Sequence, residues 1–166
     1  MRKLLILVPV FALVVATAIS VSASISNVRI IGADQFIPNR VIKADYHFSP
    51  GPISVESGDS VTWNNGTDDE HTITLVEESQ VPEDFEGVLE CRDPAGVCRA
   101  ALDVHFGTDP PTDVIEAGAA GLDTPGDSLL VEEGGTVTAV ISAPSGTDLY
   151  YICSVHPWMQ GEIEVE

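Results

Sequence analysis

Alternation of apolar and polar positions recurs along most of this chain. Ile53 and Val55 alternate with Ser54 and Glu56, a Gly58-Asp59 turn follows, and Val61 and Trp63 alternate with Ser60, Thr62 and Asn64. A period of two marks a strand with one buried face, and the turn between the runs makes them a hairpin. Ile73 and Leu75 then share a face with His71, so a histidine at the head of that strand points inward. Toward the C-terminus, Val137, Ala139 and Ile141 share one face, Leu149, Tyr151 and Cys153 another, and Gly161, Ile163 and Val165 oppose Glu162, Glu164 and Glu166. Nearer the start, Ser26 to Ile31 and Arg40 to Lys43 carry β-branched runs separated by Gly32, Pro38 and Asn39, which predicts an edge strand with a bend. About seven or eight short strands between Gly, Pro and Asp turns predict an all-β, antiparallel Greek-key β-sandwich.

Residues 77–128 interrupt the pattern. They hold Glu77, Glu78, Glu83, Asp84, Glu86 and Glu90, prolines that include Pro82, Pro94 and the Pro110-Pro111 pair, and many small residues. Only Arg99 to Phe106 suggests a short helix. A break-rich stretch of this length inside one domain is functional or pinned, so it is expected to be a loop-rich acidic insertion.

A chain of 166 residues suffices for one domain with its own core. Met1-Arg2-Lys3, the apolar run from Leu4 to Ile19 and the small residues Val21-Ser22-Ala23 have the order of a signal peptide, with cleavage expected after Ala23. The apolar run is shorter than the ~20 residues of a spanning helix and contains Pro9; an uncleaved anchor is the alternative. The expected organisation is therefore a signal peptide over 1–23 and a single domain over 24–166. The protein is expected to be exported, to a periplasmic, pseudoperiplasmic or extracellular location, with membrane contact only through an uncleaved N-terminal segment.

Charge narrows the partners. Without Arg2 and Lys3 the seven basic residues become five against 26 acidic ones, a net charge of −21. Such a field argues against nucleic acid and anionic lipid, and for partners with basic docking surfaces or a salty exterior. A solvated acidic face that only keeps the protein soluble is the plainer alternative.

Three cysteines outside the cytoplasm suggest one disulfide and one thiol left over. Cys91 and Cys98 enclose six residues with Pro94 and Gly96 to turn them, so these two are expected to pair, with free thiols as the alternative. Cys153 is then the unpaired one, in Cys153-Ser154-Val155-His156-Pro157-Trp158-Met159. A thiolate, an imidazole and a thioether three residues apart are donors that suit copper in its Cu(I)/Cu(II) couple, and His71 can supply a fourth. His47 and His105 have no ligand partners at metal spacing and read as surface or structural residues.

On these residues the chain resembles the cupredoxins, the small blue-copper proteins that include plastocyanin, amicyanin and the halocyanins. Cys153, His156 and Met159 are similar to the short C-terminal ligand loop of that family. Phe48-Ser49-Pro50, the run from Gly58 to Asn65, and His71-Thr72 resemble the strand pair that delivers the first histidine. The resemblance implies one copper ion held by His71, Cys153, His156 and an axial Met159. It implies a one-electron carrier, not an enzyme, that docks briefly to redox proteins of the cytochrome or membrane oxidoreductase type. Thr72 stands where many relatives have an asparagine tying the ligand loops together, and its hydroxyl is expected to do part of that work beside Ser154. His156 is expected at the solvent edge as the electron port, with Pro157 and Trp158 as its apolar rim. Trp63 is expected to pack in the core.

Two other functions compete with the carrier. Copper storage or delivery outside the cytoplasm calls for open or methionine-rich ligation, and Met1 and Met159 are the only methionines. A copper oxidase or nitrite reductase needs further copper held by several more histidines, and after His71 and His156 only His47 and His105 remain.

Overall fold

The structure, a computed structural model, describes residues 24–166. The expected signal peptide lies outside the described residues. In chain order the strands are β1 (Ile25–Ile31), β2 (Asp34–Ile37), β3 (Val41–Ala44), β4 (His47–Ser49), β5 (Pro52–Val55), β6 (Ser60–Asn65) and β7 (His71–Val76). After a 3-10 turn come helices α1 (Phe85–Cys91) and α2 (Val97–His105), then β8 (Val114–Ile115), β9 (Ser128–Val131), β10 (Thr136–Val140), β11 (Thr147–Ile152) and β12 (Gln160–Val165).

Two sheets face each other. One has the order β10-β6-β1-β4, the other β5-β12-β11-β7-β9-β8, and β2 and β3 form a separate two-stranded ribbon. Most neighbours run antiparallel, but β1 pairs with β6 and β12 with β5 in parallel. The all-β sandwich agrees with the sequence expectation, with more strands than predicted. The additions are the separate ribbon strands, the three-residue β4, the two-residue β8 and the four-residue β9. In β9, Leu129, Leu130 and Val131 form a short, wholly buried run without alternation; the others are too short for a period to register.

Between the sheets lie Val28, Ile30, Phe48, Val61 and Trp63 from one side and Ile73, Leu75, Leu149, Tyr151, Ile163 and Val165 from the other. These are the inward positions of the period-two runs. Trp63 is fully buried, as expected, and its ring meets Tyr151 edge-on at 5.9 Å. Gly161 lies opposite Tyr151 in the β11–β12 register, and any Cβ there would run into the Tyr151 ring. Glycine is required at that position.

The N-terminal expectation is corrected. β1 is interior to its sheet, between β6 and β4, because Val28 and Ile30 face the core and its backbone bonds are used on both sides. The run 40–43 belongs instead to the β2–β3 ribbon, turned by Pro38 and by Asn39 at φ 58°. The cross-strand pair Phe36 and Ile42 is exposed on it.

Residues 77–128 are more helical than expected. Helix α2 matches most of the predicted Arg99–Phe106 stretch, beginning earlier, at Val97, and ending at His105 with Phe106 as its C-cap, whereas α1 was not anticipated. Asp84 caps α1 by accepting from the Gly87 amide at 2.9 Å. The Cys91–Cys98 disulfide joins the two helices, as the cysteine count suggested. It packs with Val76 and Ile152 in a small second core, on the outer side of the β7–β11 sheet. All six residues of β7 are consequently buried, Thr72 and Thr74 included.

Candidate metal centre

Three donor side chains meet at one end of the sandwich. His71 is the first residue of β7, and Cys153 follows the last residue of β11. The turn from Cys153 to Met159 is closed by three backbone bonds. The His156 amide donates to the Cys153 carbonyl at 3.1 Å, the Met159 amide to the His156 carbonyl at 2.8 Å, and the Cys153 amide to the Met159 carbonyl at 3.1 Å. This tight loop between paired strands brings His156 back over Cys153.

His71 Nδ1 and His156 Nδ1 are 3.2 Å apart, and Cys153 Sγ is 3.6 Å from the first and 3.8 Å from the second. A point equidistant from these atoms is about 2.1 Å from each, close to the ~2.0–2.3 Å at which imidazole nitrogen and thiolate sulfur bind a first-row metal. Both imidazoles therefore turn the same ring nitrogen inward, and each outer nitrogen has its own neighbour.

The partners of His71 fix its tautomer. The Asn65 side-chain amide donates to the carbonyls of Asp69 and Glu132 at 2.7 and 2.9 Å, so its oxygen faces Thr67. That oxygen accepts the Thr67 hydroxyl proton at 2.8 Å, which leaves the Thr67 oxygen to accept from His71 Nε2 at 2.8 Å. The proton sits on Nε2 and the Nδ1 lone pair is free. The Nε2 of His156 lies 3.3 Å from the Asp69 carboxylate.

Electrostatics agree with a cation site. Burial pushes the Cys153 thiol up to about 11 in the metal-free protein, opposed by the Thr72 backbone N–H, which donates to the sulfur at 3.3 Å. Burial and the neighbouring His156 ring lower His71 to about 4, and burial lowers His156 as well. Both imidazoles are thus neutral donors near neutral pH, while the thiolate needs a cation for company. The set of two imidazoles and one thiolate fits a single copper ion.

The structure corrects two details of the site's rim. His156 is nearly buried, with 9% of its surface exposed, because Tyr46 and Trp158 pack on its ring at 4.9 and 5.1 Å and Asp69 lies beyond its outer nitrogen. Pro157 is buried and forms no rim, whereas Trp158 remains 40% exposed. Met159 is fully buried in the same core cluster as Cys153. The Thr72 hydroxyl accepts from the Ser154 amide at 2.7 Å, which ties β7 to the Cys153 loop. His47 is exposed, its ring bonded to the Asp45 carbonyl, while His105 is fully buried on α2 away from the three donors.

Sequence reading missed Tyr46, Asn65, Thr67 and Asp69. The Asn65-Gly66-Thr67 turn and an aspartate two residues before His71 were the available signals; the sequence did not show that their side chains fold onto the histidines. The described residues contain no helix long and apolar enough to cross a membrane.

A β-sandwich with a buried His–Cys–His grouping at one end defines the class of this protein. No family model matches its sequence, and no curated protein sequence does. The solved structures it is similar to include cupredoxins. A purple cupredoxin from Nitrosopumilus maritimus is 17% identical over 85% of this chain and 99% of that one, with a TM-score of 0.46. A dithionite-reduced auracyanin from Roseiflexus castenholzii is 17% identical over 87% and 98%, also at 0.46. Auracyanin A from Chloroflexus aurantiacus, described as a blue copper protein, is 20% identical over 72% and 89%, again at 0.46. These likenesses are remote, and the chemistry of the site rests on its own donor atoms.

Proposed function

We propose that this chain is a type 1 copper protein of the cupredoxin kind that carries one electron at a time between redox proteins outside the cytoplasm. The observation that supports it most is the triangle of His71 Nδ1, Cys153 Sγ and His156 Nδ1, with the His71 tautomer already set for binding. In this reading those three residues would hold the copper, and the Met159 thioether, buried in the same cluster as Cys153, would be a fourth donor. Bound there, copper supplies a one-electron couple.

The chain's own residues make that couple usable. Two strands and a turn closed by backbone hydrogen bonds hold the donors in place, so little has to move when the charge changes. The Thr72 amide donates to the sulfur and draws density from it. Burial of His71, Cys153 and Met159 keeps water from the donors. Trp158, exposed and packed on His156, is the apolar contact through which a partner approaches. Partners with basic surfaces suit the acidic exterior, in brief encounters of small area. Export, with cleavage after Ala23, belongs to the same proposal and accords with the Cys91–Cys98 disulfide.

Copper storage is the weaker reading, because a buried site with a single nearby methionine does not favour ready exchange. A redox titration of the copper-loaded protein separates the two. A carrier cycles reversibly as a one-electron couple and keeps its metal through repeated reduction; release of copper on the first reduction would leave delivery as the function.

A further inference from the structure

The insertion and the metal site are joined by a chain of buried hydroxyls that ends on His105. His105 Nδ1 faces the Thr112 carbonyl, which can only accept, so the proton is on Nδ1. The ring is neutral, since burial lowers its pKa. Its Nε2 is then an acceptor, and it takes the Ser128 hydroxyl proton at 2.8 Å. With that proton committed, Ser128 accepts from Thr74 at 2.8 Å. Thr74 in turn accepts from both Thr72 and Ser154, each at 2.9 Å. Thr72 still has a lone pair for the Ser154 amide at 2.7 Å, and its own amide donates to Cys153 Sγ at 3.3 Å.

Every hydroxyl proton in this chain is therefore oriented by the Nε2 acceptor of His105, a tautomer that the Thr112 carbonyl holds. Thr72, Thr74, Ser128, His105 and Ser154 are all buried, the most exposed at 2%. No water competes for these groups, and a buried network has a single orientation only when each member is satisfied. Helix α2 delivers His105 to the outer face of β7 and β9, the face opposite the main core. This gives the insertion a purpose other than cover.

We propose that His105 is a positioning residue for the metal site: by accepting from Ser128 it fixes the hydroxyls of Thr74, Thr72 and Ser154, and with them the seat of the Cys153 sulfur. The inference rests on the site being a copper centre only for its redox consequence; the hydrogen-bond order itself belongs to the metal-free protein.

Three variants test it. His105→Asn keeps a donor for the Thr112 carbonyl but has no acceptor at the position of Nε2, whereas His105→Gln keeps an acceptor there and loses the bond to Thr112. Ser128→Ala cuts the chain without touching α2. In the metal-free protein, amide hydrogen exchange at Thr72 and Ser154 should accelerate by about tenfold in Ser128→Ala and His105→Asn, the size expected for loss of one buried hydrogen bond, and stay near wild type in His105→Gln. In the copper-loaded protein the first two variants should shift the reduction potential, and the third should not. Unchanged exchange at Thr72 and Ser154 in Ser128→Ala would overturn the proposal, leaving His105 as an anchor for its helix. Equal effects from Asn and Gln would overturn it too, because ring packing would then matter and the Nε2 acceptor would not. If the wild type forms no coloured copper complex, the copper reading fails, while the exchange comparison still decides whether the hydroxyl chain is ordered by His105.

Discussion

The Thr67 hydroxyl accepts the Nε2–H of His71 at 2.8 Å while donating its own proton to Asn65. This single contact holds the ring of His71 with its Nδ1 lone pair toward Cys153 and His156. Removing it leaves a buried N–H without an acceptor, which costs about 1–3 kcal/mol. Thr67→Val should destabilise the metal-free protein by that amount and weaken copper binding by roughly 10–100-fold, the usual penalty for losing a ligand's outer partner. Thr67→Ser keeps the hydroxyl and should restore both. Urea unfolding and competition with a chelator measure the two effects, and a Val variant as stable and as tight as wild type would show that the relay is ornamental.

Acid should destabilise the metal-free protein in a defined window. His71 is lowered to about 4 by burial and by its neighbour His156, against an ordinary value near 6.5, and burial lowers His105 and His156 too. Between those values an unfolded His71 binds more proton than the folded one, so its contribution is lost as pH drops through about 6.5 and is fully gone below about 4. The lowered His105 and His156 add to the loss in the same direction. His71 alone contributes up to about 3 kcal/mol to that loss. Urea midpoints from about pH 7.5 down to 4.5 should decline steadily over the acid half of the range; midpoints that stay flat there would contradict buried neutral imidazoles.

Much of this molecule was legible in its sequence, and the reasons for what was not are physical. Period-two alternation exposed β6, β7, β11 and β12, because each has one face on the common core. The spacing of Cys153, His156 and Met159 exposed the donor loop, because such donors so close together have few other uses. β1 was misplaced as an edge because alternation reports which face is buried and says nothing of which strands lie beside it. The burial of His156 was missed because it depends, beside its neighbour Trp158, on Tyr46 and Asp69, two residues from distant segments that only the fold brings to it. His105 read as an isolated histidine because its partners Thr112 and Ser128 lie 7 and 23 positions away, in a stretch with no period.

One buried group is better removed than kept. The Tyr151 hydroxyl and the Trp63 indole N–H are buried and make no hydrogen bond of normal geometry; burial pushes Tyr151 up to about 12, and the nearby indole N–H offsets only part of that rise. Tyr151→Phe should be neutral or stabilise the fold by up to about 1 kcal/mol, since the ring packing against Phe48 and Trp63 is retained and an unsatisfied hydroxyl is lost. Gly161→Ala, facing the same ring, should do the reverse and cost several kcal/mol or prevent folding. Thermal melts of the two variants report both signs; a clear loss of stability in Tyr151→Phe would mean that its hydroxyl has a partner.

The visible absorption spectrum of the purified protein with one equivalent of Cu(II), taken beside that of its Cys153→Ser variant, addresses the metal site most directly. Copper bound by the Cys153 thiolate gives an intense sulfur-to-copper band that bleaches with ascorbate, returns on reoxidation and is missing from the serine variant. A pale Cu(II) complex, or a spectrum that Cys153→Ser leaves unchanged, would contradict a type 1 copper site.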